Sequence, residues 1–190
     1  MLVKWPLKME GIVETIVTTQ EESGLWNVAV LGLHGGDIVT ARTWGNTRTR
    51  KNFNERNEGY IQFIRDSMLF AEAALGIIEH KDPIIKGACA WIKIKPVSIE
   101  TGHSEGTEWE DWEIKVEEYS ILDKEIPRIN RGYNSIVEAT IIASRMGLSI
   151  EKEKDAQKIE ELLEIAEKCG DIQDREASLL IRDFIRLKND

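Results

Sequence analysis

Between Ile38 and Asn54 the chain carries Arg42, Arg48, Arg50 and Lys51 without one Asp or Glu, although the formal charge of the whole protein is −9. The rest of the chain therefore sums to −13, and so strong a local reversal of sign marks a place suited to an anion. The segment Arg42-Thr43-Trp44-Gly45-Asn46-Thr47-Arg48-Thr49-Arg50-Lys51-Asn52 adds hydroxyls and amides, the groups that complete a phosphate shell. A capped surface helix with solvated basic residues accounts for the same sequence. Neither GxGxxG nor GxxxxGK[ST] is present, so a dinucleotide fold and a P-loop are not indicated.

Other chemistry-bearing residues offer less. Glu105, Glu108, Glu110, Asp111 and Glu113 lack the alternating spacing of a metal loop and read as a solvated acidic stretch. His34, His80 and His103 are scattered, with no nucleophile elbow beside them, so hydrolase chemistry has little support. Cys89 and Cys169 have no ligand-spaced His or Cys and read as core thiols, and no metal site is expected. Lys93 and Lys95 share one strand face, where they suit either an anionic substrate or protection of a sheet edge. No catalytic side chain is identified.

The elements that must position the basic segment follow from periodicity. Gly11 to Thr19 and Trp26 to Leu33 are β-branched and apolar around a polar turn, and Asp37 to Thr43 alternates as a third strand. After Gly45 a helix is predicted over Thr47 to Glu58, with Asn46 or Thr47 as its N-cap and Gly59 as its stop. Its first turn leaves N–H groups without partners and favours an anion there. Tyr60 to Arg65 reads as a strand and Ser67 to Leu75 as a helix capped by Ser67. Gly87 to Ile99 and Trp112 to Ile121 read as two long strands, with Pro96 at an edge or bulge. Between them, Glu100 to Asp111 reads as a mobile loop or hairpin tip. Connections this short join antiparallel neighbours, so the sheet is a meander or barrel.

From Tyr133 the period becomes helical. Tyr133, Ile136, Val137, Thr140 and Ile141 form one stripe, Ala156, Ile159, Leu162, Leu163 and Ala166 a second, and Ala177, Leu180, Ile181, Phe184 and Leu187 a third. With 42% hydrophobic and 31% charged residues, the composition excludes a disordered segment, and no apolar run suits a membrane span or secretory signal. A cytoplasmic protein is expected. A pI near 5.0 with 7% aromatics speaks against nucleic-acid binding.

Five motifs in this order resemble an uncharacterised, mainly archaeal family of FMN-binding split-barrel proteins, related in fold to pyridoxamine-phosphate oxidases and flavin reductases. They are Glu14-Thr15-Ile16-Val17-Thr18-Thr19, Asn27-Val28-Ala29-Val30-Leu31-Gly32, Thr47-Arg48-Thr49 with Asn52, Asp66 with Leu69-Phe70, and Asn130-Arg131-Gly132 with Glu138-Ala139 and Ser144-Arg145. Together they span roughly three quarters of the chain. The resemblance implies a mostly β protein with α: an antiparallel split β-barrel over 1–126 followed by a three-helix subdomain over 127–190. It implies a homodimer with FMN in clefts between subunits, and oxidoreductase chemistry on a small-molecule substrate, or else a flavin-binding module without turnover. Arg42, Thr43, Thr47, Arg48, Thr49 and Asn52 would then surround the phosphate. Asn27 and backbone groups of the second strand would bond the flavin ring. Val28, Val30 and Leu69-Phe70 are types suited to its apolar slot, and Val28 and Val30 suit the barrel core as well. At position 62 the family pattern implies an Asn that bonds the flavin, and this chain has Gln62, whose longer amide can make similar bonds from a shifted origin. Trp44 suits stacking on the cofactor or a place at the dimer interface.

Overall fold

Alternation in the first two strands becomes a continuous ladder in the computed structural model, which describes residues 3–6, 12–104, 106–123, 131–147, 149–170 and 172–189. Strands β1 (Ile12–Gln20) and β2 (Trp26–His34) pair antiparallel from Ile12↔His34 to Gln20↔Trp26. Between them the Glu21 N–H donates to the Leu25 carbonyl at 2.8 Å, and Gly24 takes φ +84, a conformation that a residue with a Cβ resists.

Strands β3 (Thr40–Trp44), β4 (Gly59–Phe63), β6 (Ala90–Ser104) and β7 (Thr107–Ile121) complete the circuit β1-β4-β6-β7-β3-β2, and the β1–β2 pairing closes it. The result is a six-stranded antiparallel barrel. A seventh strand, β5 (Ile78–His80), joins β2 from outside that circuit. Alternate residues point inward, as a pleated strand requires, and Val17, Leu31, Leu33, Ala41, Ile61, Ile92, Ile94, Trp112, Ile114 and Val116 form the barrel core. The architecture read from the sequence, a β-barrel followed by helices, is what the chain adopts.

The second edge of β2 is shared. Leu33 and His34 pair with β3, while Trp26 to Val28 pair with β5. Ala29 to Gly32 have no ladder partner on that side among the described residues.

Several local expectations are corrected. The third strand begins at Thr40, later than Asp37, and the three residues of β5 are a strand that the periodicity does not predict. The stretch Glu100 to Asp111 is mostly strand, since the β6–β7 ladder runs out to Ser104↔Thr107. One reason is packing: the Trp109 indole lies across Gly102, where a Cβ would stand 2.3 Å from the ring. Pro96 lies past the end of β4, which pairs only with Ala90 to Ile94, so its missing N–H interrupts no ladder on that side.

Helix α1 (Arg48–Arg56) is capped by Thr47. It stops at Asn57, in the left-handed region at φ 54, before Gly59 is reached. Gly59 serves a close approach instead, because a Cβ there would meet the Thr18 carbonyl at 3.1 Å and the Phe53 ring at 3.3 Å. In α2 (Ser67–Leu75) the cap is Asp66, which accepts from the Leu69 N–H at 3.0 Å. Ser67 donates to Asp174 at 2.5 Å.

The chain divides into two compact units, Met1–Ile64 with Ile77–Lys124, and Arg65–Gly76 with Glu125–Asp190. The second holds α2 with α3 (Arg131–Arg145), α4 (Lys152–Cys169) and α5 (Ile172–Asn189). Its core contains Ala71, Ile136, Ala139, Ala143, Met146, Ile159, Leu163, Ala166, Ala177 and Ile181. The predicted stripes of α4 and α5 supply half of it, and α3 buries Ile136 and Thr140 of its predicted stripe together with Ala139 and Ala143, whereas Leu187 is exposed. Gly11, Glu105, Asn130 and the side chain of Cys169 lie outside the described residues. Among those described, no helix is long and apolar enough to cross a membrane.

Candidate functional site

Helix α1 closes one end of the barrel, and its sequence explains how. Phe53 points down the axis and meets Trp112 edge to face at 5.2 Å, a burial worth about 1.5–3 kcal/mol. Thr49, one turn back, and Asn52, next to Phe53, are also buried, and they reach inward-facing residues at the strand ends. Asn52 Nδ2 donates to Thr19 Oγ1 at 2.9 Å, and Asn27 Nδ2 to Thr49 Oγ1 at 3.5 Å. Thr43 accepts from the Trp112 indole at 2.9 Å. These polar groups are paired because unpaired ones would be costly here.

Arg50 completes the plug. Its Nε donates to Glu110 at 2.9 Å, and its Nη1 to the Gly45 carbonyl at 3.0 Å and to Glu108 at 3.1 Å. Glu110 is 4% exposed and also accepts from Ser98 at 2.7 Å and Asn54 at 3.1 Å. Burial opposes ionisation of this carboxyl, but hydrogen bonds from Arg50, Ser98 and Asn54 outweigh it and hold the group below the ordinary carboxylate range.

Arg42 projects from the outer face of β3 and takes its partners from β7. Nε and Nη2 bond both oxygens of Asp111, at 2.6 and 2.7 Å. Its guanidinium also stacks 4.0 Å from the Trp109 ring, with Trp44 at 5.6 Å. Lys51 pairs with Glu55 along the helix at 3.7 Å. The acidic stretch read as solvated loop is thus the counter-charge of the basic segment: Asp111 serves Arg42, and Glu108 and Glu110 serve Arg50.

Arg48 is held differently. Through Nη1 alone it donates to Glu79 at 2.6 Å and to Glu21 at 3.1 Å. Its Nε and Nη2 have no hydrogen-bond partner among the described residues, nor do the backbone N–H groups of Arg48 and Thr49. Thr47 accepts from the Arg50 N–H at 3.4 Å as the cap, and the first turn of α1 contains no acid. Thr47, Arg48 and Thr49 thus gather open donors and hydroxyls at one helix start, a set suited to an anion. Glu21 and Glu79 were not foreseen as part of this corner; the first sits in a turn and the second on a three-residue strand.

Val28 and Gln62 lie elsewhere on the barrel wall. Val28 is buried on the outward face of β2, next to Thr18 and Ile78 in the ladder. Gln62 is buried and saturated: Nε2 donates to Thr18 Oγ1 at 3.1 Å and the Pro83 carbonyl at 3.0 Å, and Oε1 accepts from the Ile85 N–H at 2.7 Å.

Comparison with known proteins gives a consistent family and fold. The model described as "Protein of unknown function (DUF447) N-terminal domain" matches residues 13–123, and that described as "Protein of unknown function (DUF447)" matches residues 130–183. A search of curated proteins gives no match. Among solved structures, an FMN-bound protein of Methanosarcina mazei assigned to DUF447 is 26% identical, with a TM-score of 0.78 over 93% of this chain and 96% of that one. A flavoredoxin from Methanosarcina acetivorans is 12% identical, with a TM-score of 0.42 over 66% and 78% of the two chains. The flavin reductase of a styrene monooxygenase from Pseudomonas putida is likewise 12% identical, with a TM-score of 0.42 over 58% and 80%. The last two likenesses are too distant to carry an argument.

Proposed function

We propose that this chain, which belongs to the DUF447 family, binds FMN and uses it in redox chemistry on a small molecule. The observation that supports this most is the FMN-bound Methanosarcina mazei relative, similar over nearly the full length of both chains. The donor set fits the ligand, because the phosphate needs hydrogen-bond donors and positive charge, which the start of α1 offers. On this reading Arg48 gives its open edge to the phosphate, with the hydroxyls of Thr47 and Thr49 and the free N–H groups of the first turn. Asn52 keeps α1 seated on the barrel, and Thr43 holds the Trp112 indole against which Phe53 packs. Arg42 reaches the phosphate only by leaving Asp111. Asn27 and the open edge of β2 meet the polar rim of the ring, Val28 stiffens the strand behind it, and Gln62 fixes the segment around Pro83.

Bound FMN would supply hydride or electron transfer, while the chain binds it, orients it and limits access of water. Two subunits would form the clefts, in a cytoplasmic homodimer. The first test is whether the purified protein is yellow and releases FMN on chromatography, with light scattering to give the dimer mass. Reduction of the bound flavin by NADH, NADPH or a deazaflavin, followed by substrate-dependent reoxidation, supports turnover. Failure with every donor reassigns the protein as a flavin carrier or sensor, and a colourless protein that takes up no FMN overturns the reading.

A further inference from the structure

Two segments far apart in sequence converge on a single nitrogen of Arg48. Glu21 comes from the β1–β2 turn, which the Glu21 to Leu25 hydrogen bond and Gly24 close. Glu79 is the central residue of β5, opposite Asn27 in the ladder, so both side chains leave the same face of the sheet. That face is where α1 begins, since Asn27 reaches Thr49. β5 makes only three ladder pairs, and the middle one delivers a carboxylate to Arg48 at 2.6 Å.

We infer that Glu79, assisted by Glu21, is a positioning residue that aims Arg48 at the phosphate of the flavin nucleotide. This inference rests on the FMN-binding reading above. Both carboxylates take Nη1, leaving the Nε–Nη2 edge, the one that grips an oxyanion in two bonds. A carboxylate acting as a competitor would cover that edge, as Asp111 covers it on Arg42. The half-exposed guanidinium would otherwise sample many rotamers, and restricting it lowers the ordering cost of binding. Since two negative groups face one positive group, the role depends on the hydrogen bond and not on added charge. An amide in place of Glu79 preserves it.

The test compares FMN with riboflavin by calorimetric titration of the apoprotein. Glu79→Ala is expected to weaken FMN roughly two- to fivefold while leaving riboflavin unchanged, and Glu79→Gln to bind FMN as tightly as the unaltered protein or more so. In an Arg48→Ala background, Glu79→Ala is expected to change neither affinity. Tighter or unchanged FMN binding by Glu79→Ala overturns the inference, as do equal losses for both ligands or the same loss without Arg48. Equal affinity of the unaltered protein for FMN and riboflavin is a different failure. It removes the phosphate seat itself, and this inference with it.

Discussion

Arg42 and Arg48 come from one short stretch and both meet carboxylates, yet they are in opposite states. Arg42 spends its two-nitrogen edge on Asp111 and its face on Trp109, and Arg50 likewise engages two nitrogens under α1. Arg48 bonds through one nitrogen and keeps its gripping edge open. Counting positive residues therefore does not tell which of them is open to an anion. What distinguishes a structural arginine from one fit for a ligand is which nitrogens its neighbours occupy.

The comparison breaks first on stability. Arg50→Ala leaves the buried Glu110 charge short of its main partner and is expected to cost about 3 kcal/mol, the low end for breaking a buried pair. Urea denaturation reads this directly, and an unshifted midpoint would place Arg50 among the dispensable surface cations. Next comes Arg48→Ala, expected to weaken FMN roughly ten- to a hundredfold, as loss of a charge-assisted bond should. Riboflavin affinity and melting temperature should scarcely move. Arg42→Ala should do the reverse on a smaller scale: about 1 kcal/mol of stability for a pair partly open to water, with less than roughly a threefold change in FMN affinity. If Arg42→Ala abolishes FMN binding selectively, the contrast between the two arginines is wrong.

The gentlest test changes only the pH. The Glu110 carboxyl is held below its ordinary range when folded, so its ionised form stabilises the fold above the unfolded carboxylate value. That contribution should disappear as the pH falls through the folded value. Acid unfolding followed by circular dichroism should be less steep in Glu110→Gln, and an identical profile would remove Glu110 from the acid response.

Much of this arrangement was legible in the chain. The β-branched runs announced β1 and β2, and the Gly-interrupted helical stripes announced α4 and α5, because burial on one face imposes a period. The start of α1 could be read from Thr47, whose hydroxyl suits a cap. Its end could not, since both Asn57 and Gly59 tolerate the required turn, and only the approach of Thr18 shows which task falls to Gly59. Strand β5 has three residues, too few to show a period. The outer half of the β6–β7 hairpin was obscured by its acids, which suggest solvent until their cross-strand arginines are seen. Arg42 and Asp111 are 69 positions apart, and no local window connects them. The donors at Thr47, Arg48 and Thr49 were visible as types, but the carboxylates of Glu21 and Glu79 that bond Arg48 are brought in by folding.

The interrupted second edge of β2 has a consequence of its own. In an antiparallel strand each residue turns its N–H and C=O to the same side, and successive residues alternate. Two of the four residues from Ala29 to Gly32 thus present amide groups to a side where no strand follows among the described residues. A flat heterocycle with donors and acceptors along its rim would read these groups like a missing strand, and no side-chain replacement could delete them. Mutagenesis would be blind to such recognition, whereas deuterium uptake at those two amides would slow when the pigment is bound.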